Sequence, residues 1–159
     1  MAPRNKDNAP TLAPDAPART DYARDVYTWS QEQARAIREG RFEDIDRENV
    51  AEEIESVGRT EFNSLISALR VLMRHMLKWD HQPEQRSRSW ENTIKEQRNR
   101  VHRQFRKNPS LKSQRDEVVR DGYASGRLLA STEADMDVDR FPEECPYDWD
   151  AIVGREFKR

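Results

Sequence analysis

Apolar residues in this chain recur at helical spacing. Tyr22, Val26, Trp29, Ala36 and Ile37 repeat at steps of four and three, Gln33 fills the missing step, and Gly40 stands at the C′ position of the helix they predict. Thr20 is the expected cap of this helix. After the link Arg41-Phe42-Glu43, a second run carries Val50, Ile54 and Val57 at the same spacing. Asp44 or Asp46 is its expected cap, and Glu48, Glu52 and Glu53 suit the positive end of its dipole. A third set, Phe62, Leu65, Ile66, Leu69, Leu72, Met73 and Met76, is centred roughly a quarter-turn from the second when both are placed on one continuous wheel. Either one long helix is buried on two sides, or the helix breaks at Gly58 and restarts with Thr60 as its cap. Gly58-Arg59-Thr60 supplies both a C′ residue and a new cap, so the break is the expectation.

His81-Gln82-Pro83 closes that segment, and Ser87 or Ser89 opens a helix with Trp90, Ile94, Val101 and Phe105 on one face and Gln97 completing the spacing. This helix stops before Pro109, because the residue preceding a proline is driven out of the α region. Ser110 is expected to cap a further helix carrying Leu111, Val118, Val119, Tyr123, Leu128, Leu129 and Ala130. Gly122 and Gly126 lie one turn apart on it, at a cost of about 1 kcal/mol each relative to alanine, and close approach of another helix is the expected compensation. A short last helix is predicted near Asp150 to Phe157. The pattern predicts an all-α fold, an irregular helical bundle of five or six helices in a single domain over residues 20–159. Residues 1–19 hold four of the eight prolines and few sizeable apolar side chains, so they are expected to form a disordered leader.

Composition sharpens this picture. Of the 159 residues 35% are hydrophobic and 36% charged, a balance that fits either disorder or a highly charged helical protein. With no apolar window of about twenty residues and no signal-peptide stretch, a soluble cytoplasmic protein without membrane association is expected. Cys145 is the only cysteine, so no intramolecular disulfide forms, and nothing near it in sequence marks a nucleophile. The net charge of -2 excludes a globally basic nucleic-acid binder but conceals strong polarisation. Residues 41–61, 70–107 and 133–150 carry net charges of -5, +7 and -7, and the simplest account is pairing between acidic and basic helices.

Four residues could carry chemistry if tertiary structure brought them together: Glu52, Glu55, His75 and Arg98. Glu52 and Glu55 with His75 are weak candidates for a metal site, since divalent ions take carboxylates and imidazole at fixed geometry, but the paired Glu-x-x-His signature of bundle metal sites is absent. His75 lies at the edge of an apolar stripe, where a histidine is usually a half-buried hydrogen-bonder. Arg70-x-x-x-x-His75 is similar to the arginine-to-histidine motif of helical RNases of toxin–antitoxin systems, yet its two residues lie well apart on the wheel. Arg98 borders the stripe of its helix and is a candidate buried partner for Glu52 or Glu55. On the same helix Arg100, Arg103, Arg106 and Lys107 lie opposite the aromatics and are the nucleic-acid candidates, with a solvated or acid-paired face as the plainer reading. Asp135-x-Asp137-x-Asp139 opens like a calcium loop but lacks the glycine and the closing glutamate that such a loop requires. No phosphate loop, dinucleotide fingerprint or serine elbow is present, and no cofactor is implied.

Several strings in order along the chain carry a family likeness. Trp29, Arg38-Glu39-Gly40-Arg41-Phe42, Asp46, Asn49, Glu52-Glu53-Ile54-Glu55, Gly58-Arg59, His75, Lys78-Trp79, Ser89-Trp90, Arg98, Pro109-Ser110-Leu111, Tyr123, Phe141-Pro142 and Cys145-Pro146-Tyr147 together resemble DUF29, a bacterial family of unknown function. The resemblance, from about Tyr22 to Ile152, implies a small all-α bacterial protein and supplies no reaction. It also marks Asp46, Asn49, Glu52, Glu53, Glu55, His75, Lys78, Ser89 and Arg98 as polar positions to follow, either as a network holding helices in register or as the lining of a cleft. The functional expectation is a non-enzymatic protein-interaction or regulatory module, acting on a partner protein or as a homo-oligomer. A hydrolase, metal-assisted or RNase-like, built on the Glu/His/Arg cluster is the first alternative. Nucleic-acid binding through residues 86–107 is the second.

Overall fold

A computed structural model describes residues 20–158, so the expected leader over residues 1–19 lies outside the described residues. The described residues form five α-helices and four short 3-10 segments, with no strand among them. By its contacts the chain divides into two compact units, Met1–Ile54 and Glu55–Arg159.

In the first unit, α1 spans Val26–Glu39. Its cap is Asp25, whose carboxylate accepts from the Thr28 amide at 3.0 Å, and not Thr20 as expected. Thr20 lies too far upstream: its backbone N–H and hydroxyl donate instead to the Glu32 carboxylate at 3.1 and 2.9 Å. Gly40 ends α1 at φ 71°, the left-handed conformation expected of a C′ glycine. A 3-10 turn, Phe42–Asp44, leads to Asp46, whose carboxylate caps the next helix by accepting from the Asn49 amide at 3.3 Å.

That helix, α2, runs unbroken over Arg47–His81, so the break expected at Gly58 does not occur. Gly58 keeps a negative φ, and a side chain there would meet nothing within 4 Å. One interior glycine costs a helix only about 1 kcal/mol, which packing of the segment beyond it offsets. The two misaligned apolar stripes are reconciled by burying one: Leu65, Leu69, Leu72, Met73 and Met76 are fully buried, whereas Ile54 and Val57 are 68% and 66% exposed.

In the second unit, α3 (Arg88–Lys107) begins at the expected Ser87 cap and buries Ile94, Gln97, Val101 and Phe105, with Trp90 half-buried. It runs antiparallel to α2: Lys107 pairs with Glu61 near one end and Trp90 meets His75 toward the other. Pro109–Gln114 forms a 3-10 segment, so α4 starts at Arg115, four residues later than a Ser110 cap would place it, and extends to Ala134. Ser110 spends its carbonyl on the Ser113 hydroxyl, 2.8 Å away, within that tighter turn. The expected close approach at the two glycines is present. A Cβ on Gly122 would lie 2.7 Å from Leu69 Cβ, and one on Gly126 would lie 2.8 Å from the Arg70 carbonyl oxygen, so α4 presses directly on α2. Asp135 ends α4 at φ 52° and Asp137 caps a 3-10 turn, which gives the aspartates of the calcium-like string turn-forming roles. The last helix, α5 (Trp149–Gly154), is capped by Asp148. Beyond it Phe157 is buried with its ring edge-on to Trp79 at 5.5 Å.

Candidate functional site

Arg98 shows how far the candidate cluster departs from a catalytic arrangement. Its guanidinium donates to the carbonyls of Ile152, Arg155 and Ala151 at 2.7, 2.7 and 2.9 Å, so it closes the C-terminal end of α5. The partner expected on sequence grounds was a carboxylate, and the correction has a simple cause: exposed carbonyls at a helix end accept from a cation as a carboxylate does. Burial, followed by the nearby Arg155 charge, lowers its pKa from the ordinary arginine value.

His75 is 7% exposed, and its Nδ1 lies 2.8 Å from the Val71 carbonyl oxygen. A carbonyl only accepts, so the ring donates from Nδ1 and, when neutral, keeps its lone pair on Nε2. Burial first, and then the charges of Arg74 and Lys78, push the His75 pKa below its ordinary value despite the opposing effect of the Val71 bond and Glu133. Glu52 is exposed, and Glu55 forms an i,i+4 pair with Arg59 at 3.4 Å. None of the four candidates is a hydrogen-bond or salt-bridge partner of another. Among the described residues no group of three or more His, Cys, Asp or Glu is placed to hold a metal ion.

The polar positions do form networks. In the first unit, Asp46 accepts from the Trp29 indole N–H at 3.2 Å and from the Asn49 side chain at 2.7 Å, and its own backbone N–H donates to buried Gln33 at 2.8 Å. Tyr22 donates to Glu53 at 2.5 Å and stands edge-on to Trp29 at 4.8 Å, so the Tyr22 pKa rises chiefly through that carboxylate. In the second unit, Glu133 accepts from Arg74 at 2.6 Å and from buried Lys78 at 2.9 Å, while the Lys78 ammonium sits over the Trp90 ring at 4.5 Å. Asp80 accepts two bonds from Arg155, at 2.9 and 2.6 Å, and one from Tyr147 at 2.9 Å. Burial would raise the Asp80 pKa, but Arg155 and Tyr147 outweigh it and hold the carboxyl below its ordinary range.

Sequence reasoning counted Glu133 only as part of an acidic block. The available signal was its place seven residues after Gly126, on the glycine face that approaches α2. Cys145 is half-buried, its thiol donates to the Tyr147 carbonyl at 3.6 Å, and burial raises its pKa, so it is no ready nucleophile.

Two concave surfaces lie in the second unit. A cleft of about 440 Å³ is floored by Ile94 and Phe157 and edged by Lys95, Arg98, Arg155 and Lys158. The other, of about 380 Å³, lies between α2 and α3, where Thr60, Glu61 and Ser64 face Arg100, Arg103 and Lys107. Arg106, the fourth of the nucleic-acid candidates, is exposed and does not line this cleft. His75 lines neither. In the first unit the notable surface is apolar: Val26, Tyr27, Ile37, Phe42 and Ile54 are between 47% and 77% exposed.

Helices joined by polar networks, with charge and apolar surface displayed outward, define an all-α protein, and among the described residues no helix is long and apolar enough to cross a membrane. The chain belongs to the family described as Domain of unknown function DUF29, whose model matches residues 22–158. No curated protein and no solved structure matches it.

Proposed function

We propose that the protein is a non-enzymatic interaction module of the bacterial cytoplasm that binds a partner protein through the outer face of its first unit. The observation that carries this reading is the distribution of exposed apolar side chains. Of the seven large ones among the described residues, five fall before Glu55, namely Val26, Tyr27, Ile37, Phe42 and Ile54, although that stretch is the shorter part of the described chain. On α1 the buried residues are Trp29, Gln33 and Ala36. Val26 and Ile37 border that stripe, and Tyr27 extends the apolar arc onto the solvent side through about 100° of helix turn. An apolar arc wider than its own unit covers is the usual mark of a contact surface. Phe42 belongs to the string Arg38-Glu39-Gly40-Arg41-Phe42 on which the family resemblance rests, and it points outward with 61% of its surface exposed.

The hydrolase reading draws no support from the geometry, since His75, Arg98 and Glu55 each engage other groups. The proposal is tested by placing a photo-crosslinking residue at Tyr27, at Ile37 and, as a control in the second unit, at Arg120, and irradiating cells that express the protein. Discrete adducts with one common partner from Tyr27 and Ile37 but not from Arg120 are expected. Equal labelling from all three sites, or none from Tyr27 and Ile37, would overturn the proposal.

A further inference from the structure

We infer that the cleft between residues 60–64 of α2 and 100–107 of α3 is a binding site for a compact phosphate-bearing anion. Arg100, Arg103 and Lys107 follow one another at steps of three and four, so their cationic ends share one face of α3. Thr60 and Ser64, one turn apart on α2, present hydroxyls to the same space. Glu61 is the one carboxylate in the lining, and it is already engaged. It accepts from Lys107 at 2.5 Å and from Asn108 at 3.0 Å, and these bonds, that of Lys107 foremost, hold its pKa below the ordinary value. Lys107 and Glu61 therefore neutralise each other, leaving the charge of Arg100 and Arg103 for a ligand.

Arg100 is oriented by the side-chain oxygen of Gln97 at 3.3 Å, and Gln97 is itself buried at 5% exposure, so one wall of the cleft is anchored in the core. Arg103 is exposed, and no salt bridge among the described residues engages it. Two guanidinium groups with hydroxyl donors opposite match the geometry of phosphate oxygens, which guanidinium binds in bidentate fashion. The cleft's volume of about 380 Å³ is that of a small-ligand site. No aromatic side chain lines it for base stacking, and Arg106, about 120° around α3 from Arg100, is not part of its lining. These features favour a small phosphorylated molecule over a nucleic-acid strand.

The full chain, labelled for observation of arginine side-chain N–H groups by NMR, is titrated with inorganic phosphate and with pyrophosphate at constant ionic strength. Saturable shifts confined to Arg100 and Arg103 are expected, with affinity falling about ten-fold or more in the Arg100→Gln/Arg103→Gln protein and unchanged in Lys95→Gln. Both arginines reach solvent, and a circular dichroism spectrum equal to that of the parent confirms that the double variant is folded. Unsaturable shifts spread over Arg88 and Arg106 as well would overturn the inference. So would binding of a single-stranded oligonucleotide, without phosphate binding, that Arg106→Gln weakens as much as Arg103→Gln does.

Discussion

The two units are built on different principles. In the first, three described residues are buried, Trp29, Gln33 and Ala36, and the contacts that fix its helices are polar, centred on the Asp46 carboxylate. In the second, a continuous apolar core from Leu65 to Phe157 draws on four helices and the C-terminal segment, and α4 approaches α2 so closely that only glycine fits at two positions. A polar network fixes direction at little net gain in stability, whereas apolar burial stabilises in proportion to area. The contrast therefore separates a region that can display its apolar side chains from one that needs nearly all of them inside.

The largest effect that would sharpen this contrast is expected at Leu72, which is fully buried in α2. Leu72→Ala should cost about 2–5 kcal/mol in denaturant unfolding, by lost transfer energy and a residual cavity. Next is Gly126→Ala. The added methyl would meet a backbone oxygen at 2.8 Å, so about 1–3 kcal/mol should be lost although alanine is the better helix former. A stability equal to the parent would show that α4 is not held against α2 as described. In the first unit, Asp46→Ala removes a helix cap and an acceptor of the Trp29 indole, and about 1–2 kcal/mol of local stability should disappear from the α1 amides in hydrogen exchange. Equal losses across α3 and α4 would erase the distinction between the units.

A pH dependence follows from His75. Its folded-state pKa lies below the ordinary 6.5, so on acidification the unfolded chain takes up the proton first. Its contribution is therefore complete above about pH 6.5 and declines as pH falls through that value toward the depressed folded pKa. Asp80 and Glu133 have lowered pKa values as well, and their contributions persist until the more acidic range where their carboxylates protonate in the folded protein. Unfolding midpoints between pH 7.5 and 5.5 should fall for the parent and stay flatter for His75→Gln. Identical slopes would mean that His75 is not buried as a neutral ring.

Much of this architecture is legible in the residue pattern because burial follows periodicity. The stripe Ile94, Val101 and Phe105 is buried as spaced, Gly40 ends its helix, and Gly122 with Gly126 announces a close helix contact before any partner is known. Gly58 misleads because a glycine that needs no positive φ and touches nothing is locally indistinguishable from one that stops a helix. Ser110 misleads because a 3-10 segment after Pro109 satisfies the same local preferences as a helix cap. The partners of Arg98 were hidden for another reason: they are backbone carbonyls more than fifty positions away, and the identities of the residues supplying them carry no trace of that role. Acid–base pairing between charge blocks appears at Glu61–Lys107 and around Glu133, positions that only tertiary structure singles out from the surrounding charge.

We propose that the first unit displays an apolar surface for contact while the core of the second unit carries stability. It is tested most directly by measuring unfolding and in-cell crosslinking on one variant, Tyr27→Ser/Ile37→Ser, with the crosslinker at Phe42. A stability within about 0.5 kcal/mol of the parent is expected, as for other exposed positions, together with loss of the Phe42 adduct. A variant that keeps the adduct, or one that loses stability like a core substitution, would contradict it.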